Sequence, residues 1–144
     1  MAENKHESSK PLPEITPVTQ PFWEAAAKGK LVLQRCKSCG ELIWCPRSFC
    51  AECGGDELEW TPVSGRGTVY SFTVIREVVS RGARGFEKEI PYIVAWIDLD
   101  EGPRLVSNLV DCPLERAEIG IAVEVFFEEA GRGIFLPKFK PRRT

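Results

Sequence analysis

Histidine is almost missing from this chain. The one copy is His6, among the first polar residues, so Ser-His-Asp triads and histidine general bases have no partner to work with. Long apolar runs are missing too. The longest, such as Tyr92 to Ile97, fall far short of the roughly 20 residues that cross a bilayer, and the first residues, Met1 to His6, lack an apolar signal region. A cytoplasmic protein without a membrane partner is the expectation. Charge of one sign is also lacking. Nineteen Lys and Arg against 21 Asp and Glu leave a net charge of −2, so no global field draws nucleic acid or anionic lipid, and any phosphate binding must be local.

What remains is ordinary globular composition over 144 residues, 43% hydrophobic and 28% charged, enough for one core plus an appendage. Residues 1–20 are polar and carry Pro11, Pro13 and Pro17, which reads as a flexible leader. Residues 21–30 follow as a short helix, with Thr19 as cap, Pro21 in the first turn, Phe22 and Trp23 at its start and Gly29 at its end. A helix this short is marginal in water, so its two aromatics must dock on the chain or on a partner.

Residues 31–62 hold five of the six cysteines. Cys36-Lys37-Ser38-Cys39-Gly40 and Cys50-Ala51-Glu52-Cys53-Gly54 are two copies of one knuckle, ten residues apart. Two thiolates three positions apart on a tight turn can face one ion, and the following Gly permits the positive φ that the turn requires. Cys36, Cys39, Cys50 and Cys53 are therefore the candidate ligands of a closed, structural zinc site; iron in a rubredoxin-like site is the other candidate. Structural zinc contributes on the order of 10–16 kcal/mol in small ribbons, and this segment has little apolar core of its own. Cys45 is a competing ligand against the symmetry of the knuckles, and Cys112, with no base beside it, reads as a buried thiol. A redox role for the Cys-x-x-Cys pairs would need a parallel-sheet pattern, which the chain does not show.

Residues 63–139 turn to β-rich runs at 68–75, 90–99, 104–110, 121–129 and 134–139, with one helical turn expected between the third and fourth. Three strands, a short helix and two strands is the order of a five-stranded OB-type barrel. Tyr70, Phe72 and Val74 alternate with polar or smaller residues and read as its inner face. The long connection from Arg76 to Glu89 carries Arg76, Arg81 and Arg84, and residues 140–144 form a basic tail.

These residues resemble the acyl-CoA-associated proteins that join a rubredoxin-like zinc ribbon to an OB-fold, the family catalogued as domain of unknown function thirty-five. The matching elements are Phe22-Trp23, the four knuckle cysteines with Pro46-Arg47 between them, and Gly65-Arg66-Gly67 with Tyr70-Ser71-Phe72-Thr73. Beyond these come Pro91-Tyr92, Asp98 to Pro103, Ile119-Gly120 and Leu136-Pro137. Cys45 and Ala51 stand where the family often has proline. The resemblance implies a mainly β fold and a non-catalytic accessory subunit of a thiolase-like or aldolase enzyme, stabilising the catalytic chain and helping to form its acyl-CoA channel. A coenzyme A thioester needs a few cations beside an apolar surface, for which Arg76, Arg81, Arg84, Lys138 and Lys140 are the candidates; Phe22 and Trp23 are the candidates for partner contact. The alternative is a single-stranded nucleic-acid module, since zinc ribbons and OB-folds both serve that role, against the balance of charge.

Overall fold

The computed structural model describes residues 10–143, so the first part of the expected leader lies outside the described residues. Helix α1 spans Gln20–Ala27 and ends in a Schellman turn: Gly29, at φ 75°, lets Gly29 N–H reach the Ala26 carbonyl and Lys30 N–H reach that of Ala25, both at 2.9 Å. Thr19 sits at the N-cap without a side-chain bond into the helix. Its hydroxyl instead accepts from the Thr16 amide at 3.0 Å, closing the turn before it.

Strands β1 (Val32–Cys36), β2 (Leu42–Ile43) and β3 (Leu58–Pro62) form a small antiparallel sheet in the order β2-β1-β3. Strands β4 (Arg66–Ile75), β5 (Tyr92–Leu99), β6 (Arg104–Leu109), β7 (Ala122–Gly131) and β8 (Ile134–Pro141) close a barrel in the order β4-β5-β6-β8-β7. Every pairing is antiparallel except β6 with β8, which run parallel at Leu109 and Phe139. A single 3₁₀ turn, Leu114–Arg116, occupies the place between the third and fourth barrel strands. This is the five-stranded OB arrangement expected from the order of the runs.

One apolar core unites the two parts. Ile93, Ala95, Ile97 and Leu99 alternate inward along β5 and meet Val69, Leu105, Leu109, Val123 and Phe139 from the other barrel strands. Phe22 of α1 and Leu31 and Leu33 at the start of the ribbon join the same cluster. Each such side chain contributes about 1.5–3 kcal/mol on burial, and that is what holds the eight-residue helix in place. The far end of the ribbon has only Cys36, Ile43 and Cys50, with Leu58 against them.

Strand β4 departs from strict alternation. A bulge between Val69 and Ser71 inserts Tyr70 as the extra residue, so Val69 points in while Tyr70 is 50% exposed, contrary to the inner-face reading; Phe72 and Val74 pack against the core as expected. The glycines of Gly65-Arg66-Gly67 are required by close approach. A Cβ on Gly65 would lie 2.3 Å from Val125 Cγ1, and one on Gly67 would lie 2.3 Å from the Asp98 carbonyl oxygen. The β5–β6 turn is tied back to this entry point, because the Glu101 carboxylate accepts from Ser64 N–H at 2.7 Å and from its hydroxyl at 3.1 Å.

Candidate metal centre

The two knuckles fold alike because they are alike in sequence. Gly40 N–H donates to the Cys36 carbonyl and Gly54 N–H to that of Cys50, both at 2.8 Å, and the two glycines have φ of 79° and 77°. Cys36 N–H reaches the Glu41 carbonyl at 2.9 Å, and Cys50 N–H reaches that of Gly55 at 2.7 Å. Each turn presents its two sulfurs to the other. The four Sγ atoms of Cys36, Cys39, Cys50 and Cys53 lie within 4.8 Å of one another, with Cys36 to Cys53 and Cys39 to Cys50 both at 3.6 Å.

That spacing suits one tetrahedral ion, since metal–sulfur bonds of about 2.3 Å set the sulfurs roughly 3.8 Å apart. The chemistry of the donor set agrees. The Cys39 amide, the strongest influence on Cys36, helps bring that thiol down to about 7 against the effect of burial. For Cys39 the strongest single influence, the Glu41 amide, lowers it, but burial and the neighbouring thiols carry it up to about 12. Sulfurs packed this closely cannot all become thiolates unless a cation lies among them. The exposed Cys45 is not part of the group.

A buried amide holds the segment between the knuckles. Gln34, 5% exposed on β1, accepts from Arg47 N–H at 2.7 Å and donates to the Arg47 carbonyl at 2.9 Å. In the sequence it is one of two polar residues, with Arg35, between Leu33 and Cys36. Nothing in the spacing pointed to Arg47 as its partner.

The candidate cations are dispersed. Arg76, Arg81 and Arg84 are exposed on the β4–β5 loop, which Phe86 anchors against Tyr92 and beneath Lys10, itself paired with Glu89. Lys138 is 9% exposed and engaged with Glu128 at 2.9 Å, so it is spent inside the barrel wall. Lys140 is in β8 rather than a tail and borders a cleft of about 720 Å³, together with Arg116, Arg142 and Arg143, which the sequence reading did not single out. None of the loop arginines lines this cleft. Cys112 does, half-buried; burial pushes its thiol up, with Arg116 opposing.

The aromatics also divide. Phe22 is 3% exposed, edge-on to Trp23 at 5.0 Å and 5.3 Å from Trp44, so the chain's own core takes it up; Trp23 is only half-buried. On the outer face of the barrel Tyr70 and Trp96 are about half exposed. The cation that stacks on Tyr70, Arg104 at 3.3 Å, is held by Asp98 at 2.6 Å. No helix among the described residues is long and apolar enough to cross a membrane.

Known proteins share both halves of this arrangement. Residues 23–59 match the rubredoxin-like zinc ribbon domain of ChsH2, and residues 60–128 match the ChsH2 C-terminal OB-fold domain. A DUF35 domain-containing scaffold protein of Methanocaldococcus jannaschii is 36% identical over 118 residues, which cover 77% of this chain and 81% of that one. The benzoylsuccinyl-CoA thiolase subunit BbsA of Thauera aromatica is 33% identical over 117 residues, 78% of this chain and 77% of that one. A probable enoyl-CoA hydratase alpha subunit of Thermomonospora curvata is 35% identical over 139 residues; the match takes in 96% of this chain but spans only 42% of that protein. Among solved structures, a chain of the Ltp2-ChsH2(DUF35) aldolase superposes with a TM-score of 0.78 at 35% identity, over 90% of this chain and 98% of that one.

Proposed function

Because the chain belongs to the DUF35 family, which joins a rubredoxin-like zinc ribbon to an OB-fold, we propose that it is a non-catalytic accessory subunit of an acyl-CoA-processing enzyme of the thiolase or aldolase type. The observation that carries this reading is the agreement, over nearly the whole chain, with the DUF35 component of an aldolase. The likeness to a thiolase subunit supports the same class of partner.

Cys36, Cys39, Cys50 and Cys53 would hold one structural zinc ion, or iron, in a closed sphere. Such an ion supplies cross-linking and no open position for water or substrate. Its work is to keep the knuckle end of the ribbon folded where apolar contact is sparse. Trp23 and the outer barrel aromatics Tyr70 and Trp96 are the exposed or half-exposed anchors from which the chain would grip its catalytic partner. The cationic cleft is its source of charge for the carrier's phosphates, and through it the chain would help to form the acyl-CoA channel; the exposed loop arginines 76, 81 and 84 do not line that cleft.

Co-expression with a thiolase-like chain tests the proposal. A stable hetero-oligomer that turns over acyl-CoA, beside an isolated metal-loaded subunit that does not, is the expected result. Turnover by the purified chain alone, or failure to associate with any thiolase-like chain encoded beside it, would overturn the reading.

A further inference from the structure

The cleft at the closing seam of the barrel has a composition unlike the rest of the molecule. Arg116 comes from the 3₁₀ turn, and Lys140, Arg142 and Arg143 come from the end of β8 and just beyond; they face two carboxylates, Asp111 and Glu124. Four cations against two anions leave a local charge of +2 on a chain whose total is −2. Arg104 and Lys138 are each neutralised by an acidic partner, whereas none of these four has an ion-pair partner among the described residues. Arg142 is fixed through its backbone, its N–H donating to the Ala122 carbonyl at 2.9 Å, so its side chain rises from an ordered ladder.

The remaining walls are apolar, including Pro113, Ile121 and Pro141. A concave site with such walls concentrates the field of its cations, and about 720 Å³ falls within the range that takes a small organic molecule. Guanidinium groups in this setting select phosphate oxygens, and the apolar walls select a flat organic body beside them.

We infer that this cleft is a binding site for a phosphorylated nucleotide, and that within the acyl-CoA reading above, on which the choice of ligand rests, it takes the 3′-phosphorylated adenosine end of the thioester carrier. The β4–β5 loop arginines, which do not reach the cleft, are not part of it. A continuous nucleic-acid strand is disfavoured because the aromatic outer face commits its stacked cation, Arg104, to Asp98 and offers no free charge at that point for a backbone.

The test uses the full metal-loaded chain and adenosine 3′,5′-bisphosphate, followed by calorimetry and by backbone amide shifts. Binding with a Kd below about 1 mM is expected, weakening as salt is raised, with shifts centred on Cys112, Ala122 and Lys140. Adenosine without phosphate should bind at least about tenfold more weakly, and so should the Arg116→Gln/Arg142→Gln double variant. A triple glutamine variant at Arg76, Arg81 and Arg84 should bind like the parent. Because the shifts are read in the unsubstituted chain, a double variant that misfolds leaves the site testable. No binding up to about 5 mM, shifts centred on the β4–β5 loop, equal affinity for adenosine, or tighter binding of an oligothymidine through the same residues would each overturn the inference. The partner assay is independent: bisphosphate binding by a chain that associates with no thiolase-like protein refutes the accessory role alone, and association without bisphosphate binding refutes only this site.

Discussion

Replacing Gln34 with Leu tests whether one buried amide sets the geometry between the two knuckles. The side chain is 5% exposed and makes two hydrogen bonds to a single residue, accepting from Arg47 N–H at 2.7 Å and donating to the Arg47 carbonyl at 2.9 Å. Leu fills a similar volume, so the cavity contribution is small and the loss is that of the two polar contacts. Each buried group left unpaired costs about 1–3 kcal/mol, but Arg47 itself is exposed, and water can take over part of its backbone bonding. The expected total is therefore about 1–3 kcal/mol rather than twice that. With a urea dependence of about 2 kcal/mol per molar, the midpoint should fall by roughly 0.5–1.5 M. Arg47 lies between Cys39 and Cys50, so loosening it should also speed release of the metal to a chelator. A Gln34→Leu chain that unfolds at the parent's midpoint and surrenders metal at the parent's rate would refute the reasoning.

Chelation of the metal, or Cys39→Ser, should abolish amide-exchange protection across residues 36–58 while β5 and β8 stay protected, because the knuckle end has only Ile43 and Leu58 besides its cysteines and the base of the ribbon shares the barrel core; a ribbon that stays protected without metal contradicts this. The Lys138–Glu128 pair should respond asymmetrically: Glu128→Ala strands a buried ammonium and should lower stability by about 1–3 kcal/mol, whereas Lys138→Met removes the charge and leaves Glu128 to solvent at almost no cost, as urea melts of the two variants will show. Burial raises the Cys112 thiol above its ordinary value of 9.0, so alkylation in the folded chain should lag behind that of a free thiol. The folded state then holds this proton more tightly than the unfolded one, so stability is fully present below about pH 9 and declines as pH rises through that range; a Cys112→Ala chain should lack this part of the decline.

The parts of the molecule that were legible in advance are those set by neighbours in sequence. The paired Cys-x-x-Cys-Gly knuckles converge because each is a local turn closed by its own glycine, and the barrel order followed from the count of strands around the turn at residues 114–116. Tyr70 misled the reading because a bulge is an extra residue relative to the partner strand, and the partner is not visible in the run itself. Lys138 stood among the candidate phosphate-binding cations until β7 brought Glu128 beside it, and the docking of Phe22, open between the chain and a partner, was decided when the barrel core received it.

By itself, then, the sequence determined the four sulfurs, the two-part organisation and the family, since turn chemistry and hydrophobic alternation act over a few residues. Tertiary structure alone decided which cations are paired with a carboxylate and which line the cleft. The cleft joins Arg116, Lys140, Arg142 and Arg143 only where β6, β7 and β8 close the barrel, a contact whose register depends on the packing of residues far apart along the chain.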